Sequence, residues 1–416
     1  MTDVVVIGAG AGGIIAAWRA ASLGAKTLLL EKTTRIGTKI LISGGGKCNI
    51  THDGPMEDVL RAFRPAEARF IRPACYRFSN SQIVKMLTDR GLRVYTRPDG
   101  RIFPVQQTAK DVVRILHSYL EEVGVEIRMQ CPVTAIAIEN QKVVGVHCDK
   151  RFLACSQVVL ATGGSSYPNS GTTGDGWPWA KQSGHTIVPI LAALAPIRIQ
   201  NLTHRAGIAL REVTLRARQN GKSVGTWRGD LLFTHQGISG PATLGISRIV
   251  SEYRRQGTVQ LEVDLAADCG PEQLKETFLS YLREFPKRQI STYLEDFLPK
   301  NLIEEFCATL PLDPALAVSQ IPQKTRNKLL EYLKGWPLGN AQEVVLDKGE
   351  VVAGGIALDE IDPKTMRSLK CEGLYCCGEV LDIAGPVGGY NLQAAFATGF
   401  VAGESAARDA IPTLNE

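Results

Sequence analysis

Glycines next to polar side chains form several clusters in this chain, and the first has the spacing of a dinucleotide-binding motif. An apolar run, Val4–Ile7, leads into Gly8, Gly10, Gly12 and Gly13. Glycines in this pattern allow a tight turn after a buried strand and let backbone amides approach a pyrophosphate at a helix N-terminus. The motif therefore predicts a strand, a phosphate-binding turn and a helix in succession.

An acidic residue completes this motif. A second apolar run, Thr27–Leu30, ends at Glu31, at the distance from the glycines that such motifs require. A carboxylate at this position accepts hydrogen bonds from the ribose hydroxyls of adenosine and repels a 2′-phosphate. The motif therefore predicts a site for FAD or NAD rather than NADP, with Lys32 among the residues that bind the cofactor.

A second cluster lies in a predicted loop over residues 33–49. Its candidate cofactor-binding residues are Lys39, Ser43, Gly44, Gly45, Cys48 and Asn49. Adjacent glycines let backbone amides face a ligand, and the flanking Lys39 and Lys47 favour a phosphate or the edge of a flavin over a flexible surface turn. Cys48 lacks the spaced partner of a redox-active dithiol, so a redox role is disfavoured.

Two later apolar runs also end in glycine. The residues at these ends are Thr162, Gly163, Gly164, Gly378 and Glu379. Ligands of α/β sheets bind at the carboxyl ends of strands, so both positions belong to the predicted cofactor site. The nucleotide-binding domain is therefore discontinuous, with its last strand and helix supplied by the C-terminal part of the chain.

Periodicity and length give the domain plan. Helices are predicted over residues 79–90 and 108–123, and strands over 125–129, 133–138 and 142–148 as an antiparallel meander. Further along, residues 197–218 and 231–240 look β-rich, and 271–334 look helical. A chain of 416 residues is long enough for two or three domains. We predict an α/β fold with a discontinuous Rossmann-type FAD-binding domain over 1–190 and 343–416. Two inserted domains are predicted between these segments, a β-barrel-like one over 191–268 and a helical one over 269–342.

Composition restricts the partners and the compartment. The chain is 44% hydrophobic and 21% charged, and its net charge of +5 is spread without a dense basic run, which favours anionic cofactors over nucleic acid. Ten cysteines are scattered without a C-x-x-C pair, so we expect small buried thiols and neither disulfides nor a metal site. No apolar stretch is long enough to cross a bilayer, and we expect a cytoplasmic protein.

Longer motifs narrow the assignment. They are residues 39–49, 161–164, 232–241, 378–382 and 389–393. Together they resemble the bacterial flavoprotein family that includes aminoacetone oxidase and the flavoprotein proposed to reduce unsaturated bile-acid intermediates. The resemblance covers almost the whole chain. Glu379 replaces the Asp that is commoner in the large FAD-dependent oxidoreductase superfamily, which this chain also resembles. Ala384 stands where members of the narrower family often carry an acid, which puts any role of that acid in doubt.

This resemblance implies an FAD site. The Gly378–Glu379 pair would contact the ribityl chain or pyrophosphate, and Val133 would be a further contact. The last helix would begin at Gly389, Tyr390, Asn391 and Leu392 and direct its amides at the flavin pyrimidine.

A catalytic side chain is harder to identify, because a flavin performs hydride transfer itself. The sequence contains no H-E-x-x-H or Walker motif. His235, before the glycine-rich turn 237–241, is the candidate proton donor, with bracing of that turn as the equal alternative. Tyr167 and Tyr390 are weaker candidates, for which ring packing is favoured.

The predicted function is an FAD-dependent oxidoreductase that transfers hydride between flavin and a small organic substrate, with NAD(P)H as a transient reductant. A second dinucleotide motif is absent from the sequence, so NAD(P)H would dock without its own Rossmann domain. The alternatives are a flavoprotein that modifies tRNA or other RNA, an amine-oxidising flavin oxidase, and a non-catalytic flavin sensor, which the lack of an effector domain disfavours.

Overall fold

The computed structural model describes residues 2–149, 151–202 and 205–411. Parts of two predicted intervals, residues 203–204 and 412–416, lie outside the described residues. The chain forms two compact units: unit 1 comprises Met1–Ile190 and Val351–Glu416, and unit 2 comprises Leu191–Glu350.

The strands and helices are numbered in chain order. The strands are β1 (Val4–Ile7), β2 (Thr27–Leu30), β3 (Thr51–His52), β4 (Val94–Thr96), β5 (Arg101–Pro104), β6 (Glu126–Arg128), β7 (Val133–Glu139), β8 (Lys142–Cys148), β9 (Arg151–Ala154), β10 (Gln157–Leu160), β11 (Ile187–Ala193), β12 (Ile197–Arg198), β13 (Ala209–Gln219), β14 (Lys222–Thr234), β15 (Gly237–Ser239), β16 (Gln260–Asp264), β17 (Trp336–Asn340), β18 (Glu343–Val344), β19 (Val351–Ile356) and β20 (Leu374–Cys376). The helices are α1 (Ala11–Ser22), α2 (Thr38–Ile42), α3 (Met56–Arg61), α4 (Pro65–Arg77), α5 (Asn80–Thr88), α6 (Ala109–Glu122), α7 (Gly176–Gln182), α8 (Pro241–Arg254), α9 (Pro271–Glu284), α10 (Ile290–Leu294), α11 (Lys300–Ala308), α12 (Gln323–Lys334) and α13 (Tyr390–Ala410).

Unit 1 is built on a five-stranded parallel sheet in the order β20-β10-β1-β2-β6. Every residue of β1, β2 and β10 is buried, which explains why these strands read as uninterrupted apolar runs. The predicted Rossmann-type fold is confirmed. The carboxyl ends of β1, β2, β10 and β20 carry the glycine and acid motifs to the same edge of the sheet.

One strand prediction is wrong. Residues 125–129 were expected in the meander, but β6 pairs in parallel with β2 at the edge of the main sheet. The meander is β7-β8-β9, whose third strand was not predicted. A short apolar run carries no signal for its partner, so pairing by proximity in the sequence gave the wrong neighbour.

Two helices were missed and one loop is partly helical. The helices α3 and α4 occupy a stretch without a prediction, and α2 lies inside the predicted loop 33–49. In α4 the internal Pro73 hides the helical pattern, although Phe70, Ile71 and Ala74 bury one face of the helix.

The first and last helices of unit 1 pack backbone against backbone. A Cβ atom on Gly399 would lie 2.2 Å from the carbonyl oxygen of Gly12, and one on Gly403 would lie 2.1 Å from that of Ala16. Small residues on both helices therefore allow α13 to lie directly on α1. At the far end of this contact, Arg19 and Glu404 form an ion pair of 2.7 Å.

A disulfide joins Cys131 to Cys148, which corrects the expectation of unpaired thiols. The register of β7 and β8 sets Val133 opposite Cys148 and brings the two cysteine Cα atoms to 6.2 Å, within the range for a disulfide. Their separation of 17 positions in the chain gave no sequence signal. The other cysteines in the described ranges are free thiols.

Unit 2 contains a seven-stranded antiparallel sheet in the order β17-β16-β13-β14-β15-β12-β18. The consecutive strands β17 and β18 lie at its two edges, so the short segment between them connects the edges and gives the unit its barrel-like form. The helices α9 to α12 share one apolar core with this sheet. The structure therefore groups residues 191–350 together, whereas the prediction placed boundaries at 268/269 and 342/343.

None of the helices within the described ranges is both long and apolar enough to cross a membrane.

Candidate functional site

The glycines of the turn after β1 have two different environments: some are packed against protein atoms, and one faces open space. Gly8 has a φ of +100°, and a Cβ on Gly13 would lie 1.8 Å from the carbonyl oxygen of Gly8. These two glycines are therefore required by the turn itself. Gly10 differs, because no protein atom lies within 4 Å of where its Cβ would stand, at the N-terminus of α1. Gly12 faces α13, where its Cβ would meet the carbonyl oxygen of Ala395 at 3.2 Å.

Glu31, directly after β2, is fixed by two backbone amides. Its Oε2 accepts a hydrogen bond from the N–H of Ala9 and its Oε1 accepts one from the N–H of Thr33, each at 2.8 Å. Among the described residues, no cation lies within ion-pair distance of this carboxylate. Glu31 therefore has no counter-ion among these residues and offers free lone pairs at the edge of the sheet, where hydroxyl donors would be suitable ligands.

A pocket opens beside Glu31. Its walls are formed by Ile7, Gly8, Leu30, Glu31, Lys32, Cys131, Val133, Thr162, Gly171, Asp175 and Trp179. Five of these were predicted as cofactor-binding residues: Gly8, Glu31, Lys32, Val133 and Thr162. We call this pocket with the adjoining glycine turn the adenosine end of the site.

Lys32 does not point freely into this pocket. Its Nζ lies 2.5 Å from both Asp175 Oδ2 and Thr173 Oγ1. Burial opposes ionisation of Asp175, but hydrogen bonds from Lys32 and Thr173 outweigh it and lower the pKa of the carboxyl. Asp175 and Trp179 escaped the sequence analysis because α7 is a short helix without a clear apolar period.

The second glycine cluster forms a 3₁₀ turn over residues 43–46. Gly44 and Gly45 adopt φ values of +57° and +67°, and a Cβ on Gly44 would lie 2.8 Å from the Phe103 ring. The turn is closed by Ser43, whose carbonyl accepts a hydrogen bond of 3.0 Å from the N–H of Cys48. The turn thus exposes consecutive backbone amides while its underside packs on Phe103.

Cys48 is a structural residue. Its side chain is fully buried, and this burial, opposed in part by a hydrogen bond with Ser43, raises the pKa of the thiol to about 12. A thiol that stays protonated is a poor nucleophile, so the redox role disfavoured from sequence has no support in the structure.

An ion pair links Lys39 on α2 to Glu379 after β20. Lys39 Nζ lies 2.6 Å from Glu379 Oε2 and 2.9 Å from Ser166 Oγ. The other carboxylate oxygen of Glu379 accepts a hydrogen bond of 2.9 Å from the N–H of Val352. Four separate segments of unit 1 therefore meet at one half-buried carboxylate. Lys39 and Glu379 were predicted separately from the sequence, but Ser166 and the ion pair were not.

The N-terminus of α13 is held against β3. Gly389 has a φ of +88°, and its Cβ would lie 2.6 Å from the Thr51 backbone. The Tyr390 ring stacks on His52 at 4.6 Å, and burial raises the pKa of the phenol. The side-chain amide of Asn391 bonds both to the N–H of Gly385, at 2.8 Å, and to its carbonyl oxygen, at 2.9 Å.

His52 is therefore a site neighbour that sequence analysis missed, because a two-residue strand carries no periodic signal. Leu392 lies half-buried in the first turn of α13. We call residues 39–49, Glu379 and the start of α13 the flavin end of the site.

The last strand end adjoins the first glycine turn. Gly378 has a φ of +73°, and its N–H donates a hydrogen bond of 3.0 Å to Thr398 Oγ1. A Cβ on Gly12 would lie 3.3 Å from Cys377 Sγ. Gly163, with a φ of +72°, and Gly164 continue from β10 toward Glu379, whose Oε1 would lie 2.9 Å from a Cβ on Gly164.

Two buried polar atoms fit a ligand. Thr162 Oγ1 and Asn49 Oδ1 are buried and, within the described part of the chain, have no hydrogen-bond partner. Such atoms are rare in folded proteins unless a ligand or water satisfies them. One belongs to the adenosine end and the other to the flavin end, so these residues fit an extended dinucleotide such as FAD, which when bound supplies hydride transfer.

The remaining predicted residues lie elsewhere. His235 occupies the exposed turn between β14 and β15 in unit 2, so its catalytic role stays a prediction. Tyr167 is 42% exposed and has a φ of +55° at the start of a short 3₁₀ turn. Cys131, Cys148 and Asp149 lie close enough to hold a metal ion, but the two sulfurs are already joined to each other.

Comparison with known proteins supports this reading of the fold. A family model described as the HI0933-like protein Rossmann domain matches residues 2–405. A ribosomal RNA dihydrouridine synthase of Haemophilus influenzae is 31% identical over 98% of this chain and 99% of its own length. A 3-dehydro-bile acid delta(4,6)-reductase of Clostridium scindens is 29% identical over 98% and 99% of the two chains.

Solved structures agree on the fold. A 3-ketosteroid delta1-dehydrogenase of Sterolibacterium denitrificans superposes with a TM-score of 0.54 at 15% identity, covering 98% of this chain and 99% of that one. The quinol fumarate reductase subunit FrdA of Escherichia coli gives 0.52 at 17% identity, covering 99% and 71%. The resemblance stated from the motifs is confirmed, and the chain belongs to the HI0933-like Rossmann family of FAD-dependent oxidoreductases.

Proposed function

We propose that this enzyme uses FAD to reduce a carbon–carbon double bond conjugated to a carbonyl group. The observation that carries the proposal is the bond change shared by the names of two full-length relatives. Dihydrouridine is uridine with two hydrogens added to a ring double bond next to a carbonyl. A delta(4,6) double-bond system in a 3-dehydro bile acid is likewise conjugated to a carbonyl.

The chemistry needs one hydride and one proton. Hydride adds to the carbon of the double bond that is remote from the carbonyl, and the double-bond electrons move toward the carbonyl oxygen. A proton then adds to the carbon next to the carbonyl. NAD(P)H, as the proposed reductant, is oxidised to NAD(P)⁺ and restores the electrons. FAD held by the residues of unit 1 would supply the hydride-transfer chemistry between the two substrates.

Residues of unit 1 are suited to supporting this reaction. The free amides at the start of α13 would stabilise negative charge on a reduced cofactor. Tyr390 stands in the same turn, and burial raises the pKa of its phenol, which therefore stays protonated. It is a second candidate proton donor, in addition to His235. Glu31 and the predicted glycines would hold the adenosine half, and Lys39 with Glu379 would lie beside the ribityl chain.

The test follows absorbance of the FAD-loaded protein under anaerobic conditions. We expect NADPH or NADH to bleach the flavin band, and 2-cyclohexenone to restore it with formation of cyclohexanone. Cyclohexene, which has the same ring and an unconjugated double bond, is the matched control and should leave the flavin reduced. A Tyr390→Phe variant should bleach at the same rate and reoxidise more slowly if the phenol donates the proton.

Other outcomes would contradict the proposal. A flavin that NAD(P)H leaves oxidised but that primary amines bleach would identify an amine oxidase. Restoration of the flavin band by oxygen, with no effect of any conjugated carbonyl compound, would exclude the proposed reduction.

A further inference from the structure

Positive charge is concentrated in one segment of unit 1. Residues 61–101 contain nine arginines and one lysine against three acidic residues, a formal charge of +7 where the whole chain has +5. The net charge of the whole chain conceals this concentration. From that net charge alone, small anionic cofactors were favoured over nucleic acid as the reason for the positive excess. A basic segment rich in arginine favours contact with phosphates.

Most of these arginines are neutralised by acidic neighbours. Arg72 pairs with Glu57 at 2.7 Å, and Arg101 pairs with Asp99 at 3.0 Å. Arg69, Arg93 and Arg97 differ, because within the described ranges none of the three lies within ion-pair distance of a carboxylate. Arg93 and Arg97 are close together in the sequence, and their guanidinium groups keep their charge available for a ligand.

Arg93 and Arg97 flank the aromatic side chain of Tyr95, which lies on β4. Arg93 directly precedes this strand and Arg97 directly follows it, and both continue the pairing: the Arg93 carbonyl accepts a hydrogen bond from the N–H of Val105, and the N–H of Arg97 donates one to the carbonyl of Arg101. The three residues therefore occupy alternate positions on one face of the sheet, and β4 is an edge strand in the order β3-β5-β4. Arg93 is exposed and Tyr95 is 39% exposed. We call these three residues the β4 strip. An exposed aromatic ring between unpaired arginines has the chemistry of a single-stranded nucleic-acid site.

The β4 strip is supported from below. The Tyr95 ring packs on Phe103 at 6.1 Å, and the Arg97 guanidinium lies 4.2 Å above the same ring. Arg93 is held by Gln106, whose Oε1 accepts a hydrogen bond of 2.9 Å. These contacts orient all three side chains without neutralising the arginines, which lowers the entropy cost of binding a ligand.

Phe103 also connects the strip to the candidate cofactor site. A Cβ on Gly44 would lie 2.8 Å from the Phe103 ring, so the ring under the β4 strip is the one on which the glycine turn of the flavin end rests. A ligand bound along the β4 strip would therefore be separated from that turn by the Phe103 ring alone.

We infer that the β4 strip binds single-stranded RNA, with one base stacked on Tyr95 and the flanking phosphates on Arg93 and Arg97. The inference deepens the proposed function, on which it rests, by making a uracil base within RNA the conjugated carbonyl compound. Binding at the strip and reduction of the double bond are separate measurements, so either can fail alone.

The binding test uses the FAD-loaded protein and a fluorescein-labelled oligouridylate of about twelve nucleotides, within the usual range of single-strand sites. Anisotropy is measured between about 50 and 200 mM salt. We expect Arg93→Gln with Arg97→Gln to flatten the slope of log affinity against log salt by about 1.4, because two phosphate contacts are lost. We expect Tyr95→Ala to weaken binding about tenfold with the slope unchanged, and Tyr95→Phe to bind as the parent does.

The control has the same charge change at two other exposed arginines, Arg151→Gln with Arg255→Gln. Equal effects of the control and the strip variants would overturn the inference, as would a parent protein that does not bind the oligonucleotide at low salt. Strip variants that raise the KM for NADPH and leave RNA binding unchanged would assign the arginines to the nucleotide reductant instead.

Reduction is scored separately. We expect cyclohexenone to reoxidise the flavin whether or not the β4 strip is intact. Failure of that reaction would therefore contradict the proposed function and would not affect the inferred RNA site. A different result would be RNA binding that requires the β4 strip, with no dihydrouridine in the recovered oligonucleotide. That result would support the RNA site and exclude uracil as the reduced group.

Discussion

The two ends of the candidate cofactor site each present a glutamate at a strand end, but they hold it differently. Glu31 at the adenosine end is fixed by two backbone amides, and no cation pairs with it in the described part of the chain. Glu379 at the flavin end is neutralised by Lys39, at 2.6 Å, with a backbone amide on its second oxygen. One end is thus formed by backbone geometry and the other by paired side chains.

This difference indicates separate tasks. A carboxylate without a counter-ion is suited to accept hydrogen bonds from neutral hydroxyl groups. A neutralised carboxylate adds little net charge to the flavin end, so the α13 amides can determine the electrostatics there. We therefore expect substitutions at the adenosine end to change cofactor affinity and those at the flavin end to change redox behaviour.

The largest effect is expected at the glycine turn. Gly13→Ala would place a Cβ 1.8 Å from the carbonyl oxygen of Gly8, and this oxygen belongs to the backbone of the turn, which cannot move aside. We expect loss of cooperative thermal unfolding and of bound FAD, measured by calorimetry and by flavin absorbance.

Gly10→Ala is the matched control, since no protein atom lies within 4 Å of its Cβ. Its loss as an N-cap should cost the apoprotein about 1 kcal/mol, or about 2–4 °C in Tm. FAD affinity should fall at least tenfold if the pyrophosphate occupies that open space. A Gly10→Ala protein that binds FAD as the parent does would show that the pyrophosphate lies elsewhere.

The same isosteric change at the two glutamates tests the comparison directly. Glu31→Gln should weaken FAD binding about tenfold by removing charge-assisted hydrogen bonds, and leave the flavin midpoint potential unchanged. Glu379→Gln leaves the Lys39 ammonium without its partner, so the potential should rise because positive charge stabilises reduced flavin. Both quantities are measured by fluorescence titration and by equilibration with reference dyes.

Adding Lys39→Gln to the Glu379→Gln variant removes the unpaired charge and should return the potential toward that of the parent. Equal changes of potential from the substitutions at Glu31 and Glu379 would remove the distinction between the two ends.

The smallest effect concerns stability at alkaline pH. Burial raises the Cys48 pKa from 9.0 to about 12, so the unfolded chain loses this proton before the native protein does. The contribution of the buried thiol is complete below pH 9 and is lost as pH rises toward 12, by about 1.4 kcal/mol per pH unit. Between about pH 8 and 10.5 the urea midpoint of the parent should decline as pH rises. We expect Cys48→Ala to make this decline shallower, because the variant lacks the contribution of the Cys48 thiol.

Cys75→Ala serves as the comparison, because burial raises the pKa of that thiol to about 12 as well. The double variant should flatten the decline twice as much. An unchanged slope in both single variants would mean that these thiols ionise in the native protein.

The adenosine end was largely predictable because its parts are local. The run from β1 through the glycines to Glu31 repeats a strand, turn, helix and strand whose periods are visible in the sequence. The flavin end depends on pairs such as Lys39 with Glu379, which are 340 residues apart and whose contact is fixed by strand order rather than by spacing. The parallel partner of β6, the Cys131–Cys148 disulfide and the stacking of His52 on Tyr390 were missed for the same reason.

The packing of Gly399 and Gly403 onto the backbone of α1 has a consequence for biosynthesis. A ribosome completes α1 early and reaches α13 only after several hundred further residues, so the first helix waits for the last before its surface is covered. Contacts between such distant segments slow folding and leave apolar surface exposed to aggregation in the meantime. We therefore expect chaperones to bind the nascent chain until translation of unit 1 is finished.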